Sequence, residues 1–408
     1  MTDALAGKQL ILGVTGSIAA YKAVYLLREL TRRRAEVAVC LTEHAHQFVG
    51  PLTFRTLSGR PVLTDLFDPQ SDDAVEHVAI AERAHAIVVA PATANVIAKA
   101  AHGLADDFLS TLLLAARAPV LFVPAMDGAM WDHPAVQANV RTLRARGATV
   151  LEPDAGALAS GLAGKGRLPE IEHIVEALVR LLSPVKDLAG ERVLITAGPT
   201  REAIDPVRYI SNRSSGKMGY ALATAAFRRG ADVVLVSGPT AIAPPPGAVF
   251  VPVQSAEEMR EAVLQHLGAA TLVIKAAAVA DYRPKAPAPD KIKSRQERLV
   301  LELTPNPDIL KQVAALRGSA FIVGFAAETR DVAERAVEKL HEKGIDLLVA
   351  NDISRQDIGF DADENEVLLV DRWGGTEHLS RRPKSAIADA ILDRVRVLRA
   401  QAQAPAPR

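Results

Sequence analysis

A strand, a glycine turn and an amphipathic helix occur twice in this chain, and the repetition limits what it can fold into more than any other feature. Residues 8–22, KQLILGVTGSIAAYK, carry the pattern once, and residues 191–219, ERVLITAGPTREAIDPVRYISNRSSGKMG, carry it again. A buried strand that passes through a glycine turn into a helix is the opening unit of a doubly wound α/β sheet. Two such openings predict two sheet domains. The second copy adds about eighteen residues between its strand and its helix, so the chemistry that separates the two domains is expected in that insertion.

Each opening is followed by more of the same alternation. In the first half, short apolar runs at 10–14, 36–41, 86–90, 120–125 and 148–151 predict strands, and helical patterns fall at 106–117 and 133–146. Ile18, Tyr21, Val24, Tyr25, Leu27 and Leu30 follow helical spacing after the first turn. In the second half, strands are expected at 192–197, 232–238, 271–278, 320–326, 345–351 and 366–371, with helices at 216–229, 255–267, 307–317, 329–343 and from about 383. Strands without polar alternation, separated by helices, indicate parallel sheets covered on both faces, and ligands then bind at the carboxyl ends of the strands. A helical pattern at 171–182 closes the first half, and the linker that follows divides the chain into domains 1–188 and 189–408.

Composition narrows the partners. Forty-eight basic residues balance forty-eight acidic ones, so no overall field favours nucleic acid or a membrane surface. Small molecules and further copies of the chain are the expected partners. The first residues, MTDALAGKQLILGV, lack a cationic leader pattern, and no apolar run reaches the length of a membrane span, so a cytoplasmic protein is expected. A single cysteine, Cys40, excludes an internal disulfide framework. It is expected to be packed and inert in its strand.

Three turns of the first half sit at the ligand edge. In GVTGSIAAYK, Gly16 and Ser17 bring backbone amides and a hydroxyl to a helix N-terminus, a natural place for a phosphate. The glycine spacing fails the dinucleotide fingerprint, and no acidic residue ends the second strand, which runs into Thr42. In APATANVIAKAAHGLADD, Thr93 and Asn95 are placed either to cap a helix or to donate to a ligand. PAMDGAMWDHP places Met126, Asp127, Met130 and Trp131 on a loop after a buried strand, where a large exposed apolar set is unusual. His77 precedes an apolar helix and is expected to face the same edge; a lone histidine is also readily structural. None of the histidines forms a metal-binding spacing.

With these residues in order, GxxGSIAAYK, EHVxxA, APATANxIAK, GLADDxLSTLLLA and PAMxxxMW, the first half resembles the flavin-dependent decarboxylase domain of the bacterial bifunctional phosphopantothenoylcysteine decarboxylase / phosphopantothenate:cysteine ligase family. The resemblance implies FMN held by the loops at Gly16, Ser17, Thr42, Thr93 and Asn95, with His77 as the base. In that family the substrate thiol is oxidised at the flavin, the thioaldehyde accepts the electrons released with CO₂, and the enethiol is then reduced. Two positions depart from the family pattern. Asp127 stands where most members have an asparagine that contacts the substrate carboxylate, so it must be protonated, turned away or replaced by another donor. Ser160 stands where a glycine-rich flap usually carries a cysteine, and an alcohol is a far weaker acid than a thiol near its usual pKa of about 8.5. Lys165 or Arg167 are the candidates to compensate.

The second half carries different loops. SSGKMG is a glycine turn into a helix that fails the P-loop test, although its amides could still receive a phosphate. KAAAVADYRPKAPAPDKIKS leaves a buried strand with Asp281 and reaches Lys291 and Lys293 through a long irregular segment; a solvated basic loop is the alternative reading. AGPTxExIDPVRxISNxSSGKMG, AAAVADYRP, KIK, NPDIL, GFAAET and LxxKxxDLLVANDxS resemble the ligase domain of the same family. The resemblance implies that the substrate carboxylate attacks CTP to give an acyl cytidylate and pyrophosphate, and that cysteine then displaces CMP. It assigns Asn212 to the acyl cytidylate and Lys291 to its formation. The nucleotide is assigned to Lys275, Ala276, Ala277, Asp281, Lys291, Pro307, Asp308, Ile309, Leu310, Phe325, Lys339 and Lys343. Mg²⁺ or Mn²⁺ is expected with CTP, with Asp281 as a candidate ligand, because two polyanions must meet.

Together these imply a two-step enzyme that makes 4′-phosphopantetheine from 4′-phosphopantothenate, cysteine and CTP, assembled as a large homo-oligomer of decarboxylase trimers and ligase dimers. Two other readings are an active ligase with a flavin-binding but decarboxylation-impaired first domain, and a non-enzymatic nucleotide-binding regulator.

Overall fold

The structure, a computed structural model, describes residues 4–66, 76–293, 299–328, 332–352 and 362–403. The chain divides into two compact units, Met1–Pro184 and Val185–Arg408. The expected division after residue 188 would leave Asp187 and Leu188 in the first unit. Arg229 binds Asp187 at 2.6 and 2.9 Å, and Leu188 is buried among core residues of the second unit, so both side chains pack with the later one.

The first unit runs β1 (Gln9–Val14), α1 (Ala20–Arg32), β2 (Glu36–Leu41), α2 (Pro51–Ser58), β3 (Val62–Leu63), α3 (Glu76–Arg83), β4 (Ala86–Ala92), α4 (Ala94–His102), α5 (Phe108–Ala115), β5 (Val120–Pro124), α6 (Gly128–Asp132), α7 (Pro134–Ala145), β6 (Thr149–Val150), β7 (Asp154–Ala157), β8 (Ala163–Arg167) and α8 (Ile171–Leu182). Its six-stranded sheet has the order β3-β2-β1-β4-β5-β6, and every pairing is parallel. Side chains alternate along β1 so that Leu10, Leu12 and Val14 enter a core with α1 and α8, while Ile11 enters one with α4, α5 and α7. Each of these buried chains contributes about 1.5–3 kcal/mol, which is why the strands read as unbroken apolar runs. Helix α1 departs from the expected pattern. It buries Ala20, Ala23, Leu26, Leu27 and Leu30, whereas Ile18, Tyr21 and Tyr25 stay 58%, 52% and 59% exposed.

β7 and β8 pair antiparallel as a small hairpin outside the main sheet. It is the glycine-rich flap. Its return strand lies so close to the loop after β5 that a Cβ on Gly166 would meet the Met126 carbonyl oxygen at 2.1 Å; only glycine fits there.

The second unit begins with β9 (Arg192–Ala197), followed by β10 (Arg201–Ala203), β11 (Tyr209–Ser211), α9 (Lys217–Arg228), β12 (Asp232–Ser237), β13 (Val249–Pro252), α10 (Ala256–Leu267), β14 (Leu272–Lys275), β15 (Tyr282–Pro284) and β16 (Leu303–Pro305). It ends with α11 (Ile309–Leu316), β17 (Phe321–Glu328), α12 (Val332–Lys343), β18 (Leu347–Asp352), β19 (Glu364–Asp371), β20 (Thr376–Pro383) and α13 (Lys384–Gln403). The main sheet has the order β13-β12-β9-β14-β17-β18-β19-β20, parallel as far as β18 and antiparallel for β19 and β20. Val193, Ile195 and Ala197 of β9 face α9 and α13, and Leu194 faces α10 and α11.

The insertion of the second repeat becomes the two-stranded hairpin β10–β11. The irregular segment after β14 forms a second hairpin, β15–β16, and β10 lies against β15. Thus the extra residues build outward from the strand ends and leave the sheet register of β9 intact.

Candidate active sites

In both units the winding direction of the sheet reverses between two strands, β1 and β4 in the first and β9 and β14 in the second. A crevice opens at such a reversal because the flanking loops diverge. Both crevices are bridged by a threonine hydroxyl. In the first, the Thr15 hydroxyl donates to the Pro91 carbonyl at 2.8 Å and accepts from the Thr93 amide at 3.1 Å. In the second, Thr196 accepts from the Ala277 amide at 3.2 Å, and further along Thr200 accepts from the Ala280 amide at 3.0 Å. Sequence reasoning passed over all three, although hydroxyl residues at the ends of apolar strands were the available signal.

A cavity of about 490 Å³ opens above the first bridge. Gly16, Ser17, Thr93, Met126, Met130 and Leu158 contribute to its wall, and two cations, Lys22 and Arg167, lie in it. The Ser17 hydroxyl donates to the Ala125 carbonyl at 3.4 Å and accepts from Ala19 at 3.3 Å, fixing the turn that opens α1. Apolar side chains together with hydroxyls, turn amides and cations suit a ligand with a flat aromatic body and an anionic tail.

The two residues that break the family pattern meet at this cavity. Asp127 caps α6, with one oxygen accepting from the Ala129 amide at 3.1 Å, while the Ser160 hydroxyl donates to the other at 2.6 Å. The Ser160 bond first, and the Ala129 amide second, hold the Asp127 carboxyl below the usual carboxylate range. Of the three possibilities for Asp127, protonation is therefore disfavoured, and the carboxylate is spoken for by the cap and the flap tip. Lys165 turns away to Glu152 at 2.7 Å. Arg167 stays in the cavity wall, 3.4 Å from Glu170.

Other expected residues are not brought to this wall. Thr42 points its hydroxyl at the Val14 carbonyl, 3.5 Å away, and Asn95 is exposed on α4 behind its Thr93 cap. His77 lies in the first turn of α3 and packs edge-on against Phe108 of α5, with ring centroids 6.3 Å apart. Trp131 is only 3% exposed and fills the core beside Phe122 and Val140, while Met130 on the same short helix is 49% exposed. The loop folds into α6, which turns Met130 outward and Trp131 inward. Cys40 is fully buried, and burial pushes its thiol far above the usual value.

In the second unit the segment after β14 is threaded along the strand end of β9. Ala278 donates to the Gly198 carbonyl and accepts from Thr200. The Asn212 side-chain amide donates to the Ala278 carbonyl at 2.9 Å, which brings the insertion to the Lys275–Ala277 stretch. Asn306 closes the other side, donating to the Ala280 carbonyl at 2.8 Å and accepting from Arg283 at 2.8 Å. It is a further residue that sequence reasoning missed.

Charged groups gather at this edge. Asp308 caps α11 and binds Lys343 of α12 at 2.7 Å, and Ile309 behind it is buried. Lys339 lies one helical turn before Lys343, and Phe325 follows Gly324, the register partner of Lys275. The Lys275 ammonium is pushed down to about 8; burial is the main cause, opposed by Asp308, aided by Lys343 and opposed by Asp281. Pro307 and Leu310 flank the same helix start, and Asp281 and Lys291 are exposed. Among the described residues no group of three acidic, histidine or cysteine side chains could hold a metal ion. No described helix is long and apolar enough to cross a membrane.

Family models match each unit in turn: a flavoprotein domain over residues 2–183 and a DNA/pantothenate metabolism flavoprotein C-terminal domain over residues 188–398. The chain is 47% identical over 400 residues to the coenzyme A biosynthesis bifunctional protein CoaBC of Bacillus subtilis (strain 168), covering 97% of this chain and 98% of that one. It is 44% identical over 396 residues to CoaBC of Escherichia coli (strain K12), covering 96% and 97%. A crystal structure of a CoaBC C-terminal domain is 44% identical, covers 53% of this chain and 99% of its own, and has a TM-score of 0.46. The chain therefore joins a flavoprotein domain to a pantothenate-metabolism domain. It belongs to the family of bifunctional coenzyme A biosynthesis proteins.

Proposed function

We propose that this chain makes 4′-phosphopantetheine in two steps, one in each unit. It is a bifunctional enzyme of coenzyme A biosynthesis, ligase and decarboxylase. In the second unit the carboxylate of 4′-phosphopantothenate attacks the α-phosphorus of CTP, releasing pyrophosphate and forming an acyl cytidylate. The amine of cysteine then attacks the acyl carbon, CMP leaves, and the amide of phosphopantothenoylcysteine remains. Lys291 stabilises charge on the phosphoryl group, with Mg²⁺ or Mn²⁺ accompanying the nucleotide, and Asn212 holds the acyl cytidylate. The nucleotide lies along 275–277 and 307–310, with Asp281, Phe325, Lys339 and Lys343 around it.

The first unit removes CO₂ from that product. FMN, when bound, supplies reversible two-electron exchange with the substrate thiol. Gly16, Ser17 and Thr93 offer the turn amides and hydroxyls for its anionic end, and the apolar side chains of the cavity suit its ring; Thr42 and Asn95 are the further contacts of the same reading. An ionised Asp127 repels a carboxylate, so the substrate acid is assigned to Arg167 or Lys22 in the same wall. Asp127 instead anchors Ser160 and with it the flap. His77 stands apart from its own chain's cavity, so its service as a base requires a second copy. The exposed Ile18 and Tyr21 at that cavity, with the exposed Tyr25 one helical turn further along α1, support the assembly of copies through trimers of this unit, joined by dimers of the other, in the cytoplasm.

The observation that carries the reading is close identity to bifunctional relatives over both units and nearly the whole chain. Purified protein given phosphopantothenoylcysteine should release CO₂ and saturated phosphopantetheine. Release of an enethiol would mean that the reductive half fails at Ser160, and no CO₂ would refute the decarboxylase. With CTP, phosphopantothenate and cysteine, CMP and pyrophosphate should appear in equal amounts; neither would form on a mere nucleotide-binding regulator.

A further inference from the structure

The geometry points to Asp205 as a positioning residue for the ligase reaction: from the tip of the β10–β11 hairpin, its carboxylate fixes the backbone beside Lys291 and so registers Lys291 against Asn212. The inference rests on the roles proposed above for those two residues. Asp205 is only 3% exposed, although it sits in a surface hairpin. One oxygen accepts from the Val207 amide at 2.8 Å and the Arg208 amide at 2.7 Å, closing the hairpin turn. The other accepts from the Ile292 amide at 3.2 Å, across 87 positions of sequence. Arg208 doubles the link by reaching the Ile292 carbonyl at 3.3 Å, and the Ala288 amide donates to the Ile204 carbonyl at 2.9 Å.

A buried carboxylate is costly unless its lone pairs are filled, and here backbone donors from two separate segments fill them, with the Arg208 guanidinium at 3.4 Å from the oxygen that meets Ile292. Burial raises the affinity of Asp205 for a proton, but the Val207, Ile292 and Arg208 amides outweigh it and hold the carboxyl below its usual range. The other end of the same hairpin carries Asn212, tied to the Ala278 carbonyl. One rigid element thus spans the space between the backbone that receives the nucleotide and the segment that bears Lys291. Without the Ile292 contact, Lys291 loses the anchor of its neighbouring backbone, and displacement of about 1 Å in a reacting group can lower a rate by on the order of a hundredfold.

The full chain is compared as wild type, Asp205→Asn, Ile292→Pro and Lys291→Gln. Asparagine keeps the shape but replaces one acceptor with a donor that opposes the Ile292 amide; proline removes that amide and leaves Asp205 untouched. Steady-state pyrophosphate release from CTP, phosphopantothenate and cysteine gives kcat and the KM for CTP, and the single-turnover burst without cysteine isolates acyl cytidylate formation. Decarboxylation of added phosphopantothenoylcysteine by the same preparation reports the folding of the first unit, and the KM for CTP that of the second. Asp205→Asn and Ile292→Pro should each lower kcat for pyrophosphate release by roughly tenfold to a hundredfold. KM for CTP should stay within about threefold, and tryptic cleavage after Lys291 should accelerate in Asp205→Asn. Retention of kcat within about twofold in either variant, while Lys291→Gln abolishes release, would overturn the positioning role. Retained release in Lys291→Gln would instead overturn the reading on which it rests.

Discussion

The Ser160 hydroxyl donates to the Asp127 carboxylate across 2.6 Å, so the two residues that break the family pattern form a single contact between the flap tip and the start of α6. Each substitution taken alone looks like damage to a decarboxylase. Taken together they close one surface of the cavity on another.

Removing the donor should therefore loosen the flap rather than the fold. In Ser160→Ala, proteolytic cleavage between residues 157 and 163 should quicken, and the KM for phosphopantothenoylcysteine should rise by roughly threefold to tenfold. Ligase kinetics measured on the same variant should not change. An unaltered cleavage rate would show that the contact holds nothing.

Asp127→Asn keeps the helix cap and deletes a negative charge from the cavity wall. The KM for the carboxylate substrate should fall by about twofold to fivefold, more at low ionic strength than at high, because the repulsion removed is screened by salt. Steady-state decarboxylation at two salt concentrations is the check.

Lys275 gives the second unit a pH signature. Its folded pKa of about 8 lies below the ordinary value of 10.5, so the folded protein binds fewer protons than the unfolded chain between those two pH values. Stability should rise across that window relative to Lys275→Met, and the difference should be flat below pH 7. The same deprotonation removes a cation from the proposed nucleotide site. The KM for CTP should climb as pH passes 8 in the wild type and stay high and flat in the methionine variant.

Thr15→Val preserves shape while leaving the Pro91 carbonyl and the Thr93 amide without their shared hydroxyl, in a place where Thr15 is 1% exposed. The cost should be about 1–3 kcal/mol of stability in the first unit. Flavin absorbance per mole of purified protein should drop below that of the wild type, since Thr93 loses its tether.

Gly219→Ala tests the packing of the second repeat. A Cβ there would meet the Ala197 Cβ at 2.5 Å and the Ala197 Cα at 3.1 Å, neither of which can swing aside. Overpacking of this kind costs about 1–3 kcal/mol. Calorimetry should show the transition of the second unit falling by roughly 3–10 °C, with that of the first unmoved.

The repeat, the parallel strands and the turns at their carboxyl ends were legible because apolar periodicity records burial directly. β20 was not, since an edge strand reading TEHLSRRP buries only Leu379. The outward turn of Tyr21 and Tyr25 was invisible for a similar reason: helical spacing says which residues share a face, not whether that face meets this chain's core. Each unit's loops were legible one by one: Gly16, Ser17 and Thr93 line the cavity of the first, and in the second Asn212 reaches the Ala278 carbonyl. The partnerships were not legible. Ser160 with Asp127, Thr15 with Thr93 and Asp205 with Ile292 each join positions far apart in sequence, and nothing in either local pattern names the other member.

The threonine bridges give each crevice a floor of its own chain. Because Thr15 and Thr196 span the gap between neighbouring strand ends, no ligand atom can sink below the hydroxyl without breaking it. The bottom of each cleft is then indifferent to what binds above, and selectivity is confined to the rim. A flap edited at two positions, or a hairpin added between strand and helix, can retune the chemistry while the bridged foundation is left alone.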